Sequence, residues 1–185
     1  AMASVQAPLP SYRPRLPALL IADGVLSAPQ LETVIYAGEA HDTFLKGTYD
    51  VVDDFASIQP SKADSGAFSV EALPDDASKT VLKNARLRRG FFLGDGTGCG
   101  KGRQVAAVIL DNWLKGRRKA LWISRSDKLI EDARRDWQAL GGVAADIIPI
   151  SSFPQGRSIP DQPGILFVTY ATLRSQARQD KKSRL

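Results

Sequence analysis

The feature that most constrains this chain is the string Gly94-Asp95-Gly96-Thr97-Gly98-Cys99-Gly100-Lys101-Gly102. It stands between the apolar run Gly90-Phe91-Phe92-Leu93 and an amphipathic stretch from Lys101 to Lys115. Glycines at 94, 96, 98 and 100 let the backbone take positive φ and approach an oxygen atom with no Cβ in the way. Successive N–H groups then point into one concavity, where the positive end of the following helix adds to the field. Lys101 supplies a mobile point charge suited to the outer phosphates of a nucleoside triphosphate. The string predicts a strand, a phosphate-holding loop and a helix in that order, with ATP as the expected ligand. Residues expected at the nucleotide are Gly96, Thr97, Gly98, Cys99, Gly100, Lys101 and Gly102, and Lys101 is also the candidate catalytic residue. A glycine-rich surface turn with a solvated lysine is the competing explanation.

From Arg86 onward, short apolar runs alternate with amphipathic helical ones, the signature of an α/β domain whose parallel sheet is flanked by helices. The expected elements are a strand at Gly90–Leu93, a helix over Lys101–Lys115, a strand at Ala120–Ser124 and a helix from about Asp127 to Leu140. Gly141-Gly142 stops that helix, and strands at Asp146–Ile150 and Ile165–Thr169 follow. Residues 1–85 read as an N-terminal extension and residues 86–185 as the P-loop domain. Within the extension, the proline-rich segment Pro8 to Pro17 is expected to be extended and to lie over a neighbouring surface. Ser27 is an N-cap, Pro29 falls in the first turn, and Gln30 completes a capping box, so a helix is predicted over about 27–41. Leu31, Val34 and Ile35 give it an apolar face. Residues 46–80, with Gly47, Asp50, Asp53-Asp54, Pro60, Gly66 and Pro74-Asp75-Asp76, read as loops with room for one hairpin.

Composition removes several classes of chemistry. One cysteine, Cys99, makes no internal disulfide, and one histidine, His41, leaves no histidine cluster for structural zinc and no support for Ser-His-Asp catalysis. There is no apolar run of membrane-spanning length and no secretory signal pattern, so the expected location is cytoplasmic with no membrane partner. Charge is divided: residues 1–85 carry 6 Lys+Arg against 11 Asp+Glu, while residues 86–185 carry 19 against 9. A basic half suits a polyanion, because neutralising phosphates releases counterions; a solvated basic face that offsets the acidic part is the alternative. Trp113, Trp122 and Trp137 are expected in the core rather than stacked on bases.

The loop departs from G-x-x-x-x-G-K-[ST] at two positions, with Asp95 in place of the first glycine and Gly102 in place of Ser or Thr. Together these departures point to a subclass. Asp95-Gly96-Thr97-Gly98-Cys99-Gly100-Lys101 resembles the first motif of superfamily two helicases and translocases. The longer string Gly90 to Arg103 is similar to the P-loop of the strawberry notch helicase-like family. The segments Leu26–Glu32, Tyr36–His41, Ala120–Ser124, Asp132–Asp136 and Leu166–Leu173 are also similar to that family, so the likeness covers most of residues 26–175. It implies a partial RecA-like lobe, the N-terminal portion of a nucleic-acid-dependent ATPase that uses ATP and Mg²⁺. DNA or RNA and the remainder of the helicase core are the implied partners.

By the same resemblance, Arg103 is a candidate contact to the nucleotide and Gln30 a candidate to read adenine, although its capping box accounts for Gln30 without a ligand. Arg125 and Ser126 after one strand, and Thr169, Tyr170 and Arg174 at and after another, are candidate contacts to a nucleic-acid backbone, where open α/β sheets bind ligands. Ordinary loop polarity is the competing explanation for each. No Asp-Glu dipeptide occurs to hold Mg²⁺ and orient water, so the Mg²⁺ site is incomplete and the chain alone is not expected to turn ATP over. Two rival readings remain. One is a small P-loop kinase, which Gly102 argues against, and the other is a regulatory or nucleic-acid-binding module with a vestigial P-loop.

Overall fold

The computed structural model describes residues 8–52, 57–62, 67–73, 76–154, 157 and 159–174. By their contacts the residues form two compact units, Ala1–Ser11 with Tyr36–Phe92 and Tyr12–Ile35 with Leu93–Leu185. In chain order the elements begin with α1 (Leu19–Ala22), α2 (Ala28–Asp42), β1 (Tyr49–Val52), β2 (Ser57–Pro60), β3 (Ser69–Leu73) and β4 (Asp76–Ala85). They continue with α3 (Lys101–Leu114), β5 (Lys119–Ser124), α4 (Ile130–Ala139), β6 (Ile147–Pro149), β7 (Gly164–Thr169) and α5 (Tyr170–Leu173). A 3-10 turn, Asp127–Leu129, leads into α4, and two more stand at Ala144–Asp146 and Ile150–Ser152.

The first unit holds a four-stranded antiparallel sheet in the order β2-β1-β4-β3. Residues 46–80, read from sequence as loops with room for one hairpin, instead contribute strands to this sheet. Strands of four or five residues with polar side chains on both faces carry little period-2 signal, and it is pairing with the ten-residue β4 that defines them. Among the described residues, Val51, Val81 and Ala85 are buried in the sheet. The register slips between Tyr49 and Val51. Nearby, Asn84 takes φ 55°, and its N–H donates to Asp50 Oδ1 at 3.1 Å. Asp50 also accepts from Ser61 Oγ at 2.6 Å and from Lys83 Nζ at 3.4 Å. Those bonds to its charged form hold the Asp50 carboxyl below its ordinary range, with the Ser61 hydroxyl the largest contributor. The turn residues Asp53, Asp54, Gly66, Pro74 and Asp75 lie outside the described residues.

The second unit is α/β. Its sheet is parallel, in the order β5-β7-β6, with Ser124 opposite Thr169 at the carboxyl end. The middle strand β7, Gly-Ile-Leu-Phe-Val-Thr, is apolar almost throughout because it is covered on both faces. The outer strand β5 alternates instead: Ala120 and Trp122 pack toward the core, while Leu121 is 52% exposed and Ile123 is exposed on the other face. The core joins α3 and α4 to the sheet through Ala106, Ala107, Leu110, Ala133, Trp137, Ile147, Ile165 and Phe167, with Leu20, Leu26 and Val34 from the segment before residue 36. Trp113 meets Trp137 edge-on with ring centroids 5.5 Å apart, and Trp122 lies 6.4 Å from Phe167, so all three tryptophans are packing residues.

Two helices of this unit stop in the same way. After α3, Gly116 at φ 91° lets its N–H reach Trp113 O and lets Arg117 N–H reach Asn112 O, both at 3.0 Å. After α4, Gly141 at φ 92° does the same, its N–H on Gln138 O at 2.9 Å and the Gly142 N–H on Trp137 O at 3.1 Å. Both are Schellman closures, which satisfy last-turn carbonyls through a left-handed glycine. The segment Pro8–Pro17 forms neither helix nor strand. Within the second unit, its Tyr12 hydroxyl and Arg15 N–H both donate to Asp111 on α3, a carboxylate only 1% exposed that also accepts from Lys115 Nζ at 3.0 Å.

The expected strand at residues 90–93 is not formed. Among the described residues no strand pairs with it, and an isolated extended segment has no ladder to satisfy its peptide groups. Phe92 is 90% exposed.

Candidate nucleotide-binding site

The helix that follows the glycine-rich string begins at Lys101, and the loop ahead of it turns on two left-handed glycines, Gly98 at φ 88° and Gly100 at φ 70°. Gly100 is the N-cap residue, and the first helical bond runs from Gln104 N–H to Gly100 O at 3.1 Å. The N–H groups of Lys101, Gly102 and Arg103 therefore have no acceptor inside the helix, which is the condition for holding an anion. A Cβ on Gly96 or Gly98 would meet nothing within 4 Å, whereas one on Gly100 would run into the side-chain amide of Gln30. Open space above the first two glycines and a forced left-handed turn at the third suit a phosphate cradle.

Lys101 folds back across the loop, its Nζ donating to the carbonyls of Asp95 at 2.9 Å and Gly96 at 2.8 Å. Thr97 and Cys99 are exposed within the turn. The Cys99 carbonyl accepts from two side-chain amides, Gln104 Nε2 at 3.1 Å and Gln30 Nε2 at 3.5 Å. Gln30 also completes the predicted capping box, since Ser27 N–H donates to Gln30 Oε1 at 3.0 Å and Gln30 N–H to Ser27 Oγ at 3.4 Å. The structure thus brings Gln30 to the glycine loop while its amide oxygen serves the helix start.

Arg103 and Gly102 are explained by packing. The Arg103 guanidinium donates to Asp136 Oδ1 at 3.2 Å and to Val25 O at 3.1 Å, tying α3 to α4 and to the turn before α2. A Cβ on Gly102 would collide with the Asp136 carboxylate. A side chain at residue 102 would have to displace the Asp136 carboxylate, which Arg103 holds in place. Among the described residues, no three His, Cys, Asp or Glu side chains gather to hold a metal ion.

The other residues singled out in the sequence lie at the carboxyl end of the parallel sheet. Arg125 is exposed directly after β5, and Ser126 caps the following turn by accepting from Lys128 N–H at 3.3 Å. Thr169 is buried and caps α5, its Oγ1 accepting from Thr172 N–H at 3.2 Å, while Tyr170 and Arg174 are exposed. The paired Ser124 and Thr169 put these two strand exits side by side.

Sequence reasoning missed three residues. Gln104 is buried at 2% exposure, on the same helix face as Ala107 and Asp111, and its Nε2 reaches Asp95 Oδ2 at 3.0 Å as well as Cys99 O. A polar residue among small apolar ones on the inward face was the available signal. Asp95 enters through its carboxylate rather than as a lost glycine. Asp136 had no local signal, because its partner is 33 residues away.

The whole chain, residues 1–185, matches the family described as P-loop containing NTP hydrolase pore-1. It is 34% identical over 167 residues to the protein strawberry notch of Drosophila melanogaster, covering 88% of this chain and 8% of that protein. It is 31% identical over 185 residues to Protein FORGETTER 1 of Arabidopsis thaliana, covering 98% of this chain and 11% of that one. To the human protein strawberry notch homolog 1 it is 30% identical over 192 residues, covering all of this chain and 11% of the other. The chain thus spans about a tenth of the length of these relatives. No solved structure matches it. A glycine cradle at the mouth of α3, a family match along the full length and these identities lead to one conclusion: the chain belongs to the P-loop NTP hydrolases and is homologous to the strawberry notch proteins.

Proposed function

We propose that this chain binds the phosphates of ATP through residues 96–102, as the nucleotide-holding part of a nucleic-acid-dependent ATPase of the helicase type. The observation that supports this most is the pair of left-handed glycines, Gly98 and Gly100, placed directly before a 14-residue helix that starts at Lys101. Gly96, Thr97, Gly98, Cys99, Gly100, Lys101 and Gly102 form the cradle in this reading, Gln30 lies at its side toward the base, and Arg103 supports it from behind. Mg²⁺ ordinarily travels with ATP and neutralises its phosphates. With no hydroxyl at Gly102, this chain's own contribution is a hold on phosphates.

DNA or RNA and the remainder of a helicase core are the partners in this reading, with Arg125, Tyr170 and Arg174 on the nucleic-acid side. Ser126 and Thr169 contribute by shaping the two strand exits. A cytoplasmic location belongs to the same reading; among the described residues no helix is long and apolar enough to cross a membrane. The test is a titration of the chain and its Lys101→Ala variant with a fluorescent ATP analogue. Saturable binding that Lys101→Ala weakens about tenfold or more is expected, because an ammonium–phosphate pair is a charge-assisted bond. Equal binding by both proteins, or none by the parent, overturns the reading. Steady ATP hydrolysis by the parent, lost in Lys101→Ala, would overturn the narrower expectation that this chain holds nucleotide without turning it over.

A further inference from the structure

We propose that Gln104 is the positioning residue of the phosphate loop, holding the Asp95 carboxylate back against α3 so that the cradle can accept an anion. The inference rests on the nucleotide reading above. A loop that aims its N–H groups at a phosphate turns its carbonyls the other way, and those carbonyls need donors. Lys101 serves the carbonyls of Asp95 and Gly96, and Gln104 Nε2 serves that of Cys99. The same amide nitrogen also donates to Asp95 Oδ2 at 3.0 Å, so one buried side chain pins both ends of the five-residue turn 95–99.

Two further observations single out this amide. Gln104 is 2% exposed, yet its Oε1 has no hydrogen-bond partner among the described residues, so the side chain is kept buried for what its nitrogen does. An unsatisfied buried acceptor is costly and is retained where the geometry serves something else. Asp95 also stands where the general pattern has glycine, which puts a negative charge inside a loop built for anions. Like charges at that range repel, and the amide gives the carboxylate a fixed partner on the helix side. Gln104 acts through the Asp95 carboxylate, since the Cys99 carbonyl keeps a second donor in Gln30 Nε2 at 3.5 Å.

The test is a double-mutant cycle on ATP-analogue affinity with Gln104→Met, which keeps length and bulk without the amide, and Asp95→Asn, which removes the charge and keeps an acceptor. Gln104→Met is expected to bind about tenfold more weakly, the effect of one lost bond to a charged group together with the freed carboxylate. Asp95→Asn alone is expected to stay within about threefold of the parent, and the double variant to return to about that level, because the freed charge causes the loss. A scaffold role would not be rescued by removing the carboxylate. Parent-like binding by Gln104→Met, or a double variant no better than Gln104→Met, overturns the proposal. Hydrogen exchange of the amides of residues 96–100 supplies a readout without ligand: faster exchange in Gln104→Met is expected, and unchanged exchange counts against it. If the parent binds no nucleotide while this exchange difference holds, the nucleotide reading fails and the loop restraint stands. Should Gln104→Met not fold, Asp95→Asn still decides, since a large loss of binding there means the carboxylate itself serves the ligand.

Discussion

The hydroxyl of Tyr12 donates to the carboxylate of Asp111 across 99 residues of chain, and Asp111 is nearly inaccessible to water. Arg15 N–H at 2.6 Å and Lys115 Nζ at 3.0 Å complete the set of donors, so this buried charge is both paired and hydrogen-bonded. The proline-bearing strap before α1 is thereby fastened to the helix that follows the phosphate loop.

Removing one donor and removing the charge should differ in size. Tyr12→Phe is expected to destabilise by about 1–2 kcal/mol, and Asp111→Ala by about 3 kcal/mol or more, because it removes the shared acceptor of Tyr12, Arg15 and Lys115. Chemical denaturation of both variants checks the order, and equal small effects would mean the strap is not fastened there. Burial, and then the hydrogen bond to Asp111, push the Tyr12 phenol above its ordinary range. A raised pKa means the folded chain keeps the proton longer. Its contribution is full below about pH 10, the unfolded value, and is lost as pH rises through the folded one. Tyr12→Phe should therefore flatten stability against pH in alkali.

Restoring the usual hydroxyl at residue 102 should harm this protein. Gly102→Ser places a Cβ against the Asp136 carboxylate and is expected to cost about 1–3 kcal/mol through overpacking. Thermal melting measures the loss. Adding Asp136→Ala should recover part of it, although the Arg103 ion pair goes with it, and a stabilised Gly102→Ser variant would refute the steric account.

Acid should act on the antiparallel sheet through Asp50. With its pKa depressed by Ser61, Asn84 and Lys83, its contribution is present above about pH 3.9 and is lost as pH falls through the lower folded value. Asp50→Ala should melt below the parent at pH 6, and the gap should close as the pH approaches 2. A gap that stays constant with pH would assign the effect to shape rather than charge.

The two strand exits of the parallel sheet give a test of the nucleic-acid reading. Labelled single- and double-stranded DNA and RNA are titrated over a range of salt against the parent, Arg125→Ala and Arg174→Ala. If each arginine neutralises a phosphate, each substitution should weaken binding at all sequences alike and lower the salt slope by about one unit. Unchanged slopes would place any nucleic-acid surface elsewhere.

What was legible in the sequence was whatever is set by neighbours along the chain. The Ser27–Gln30 capping box, the glycine stops at 141–142 and the helix opened by Gly100-Lys101 depend on residues within a turn of one another, and each is where the pattern placed it. The strands β5 and β7 were visible as apolar runs because burial in a parallel sheet makes them so. The expected strand at 90–93 has the same composition but no partner in the described chain, and composition does not report a partner. The antiparallel sheet was hidden for the opposite reason, since β1 and β2 are defined by what they pair with rather than by what they contain. At the site, the glycines and Lys101 were readable. The roles of Gln104, Asp136 and the Tyr12–Asp111 bond were not, because they arise only when distant segments meet.

The strand order β5-β7-β6 has a consequence for how the parallel sheet is assembled. Of these three strands the middle one is made last, so β5 and β6 have no ladder with each other and wait for residues 164–169 to lie between them. On a ribosome the sheet closes only once Thr169 has emerged, and until then α3 and α4 have an incomplete surface to settle on. A chain halted just before Gly164 should therefore lose the order of β5 and β6 together with that of β7, and limited proteolysis should cut it in segments distant from the missing strand.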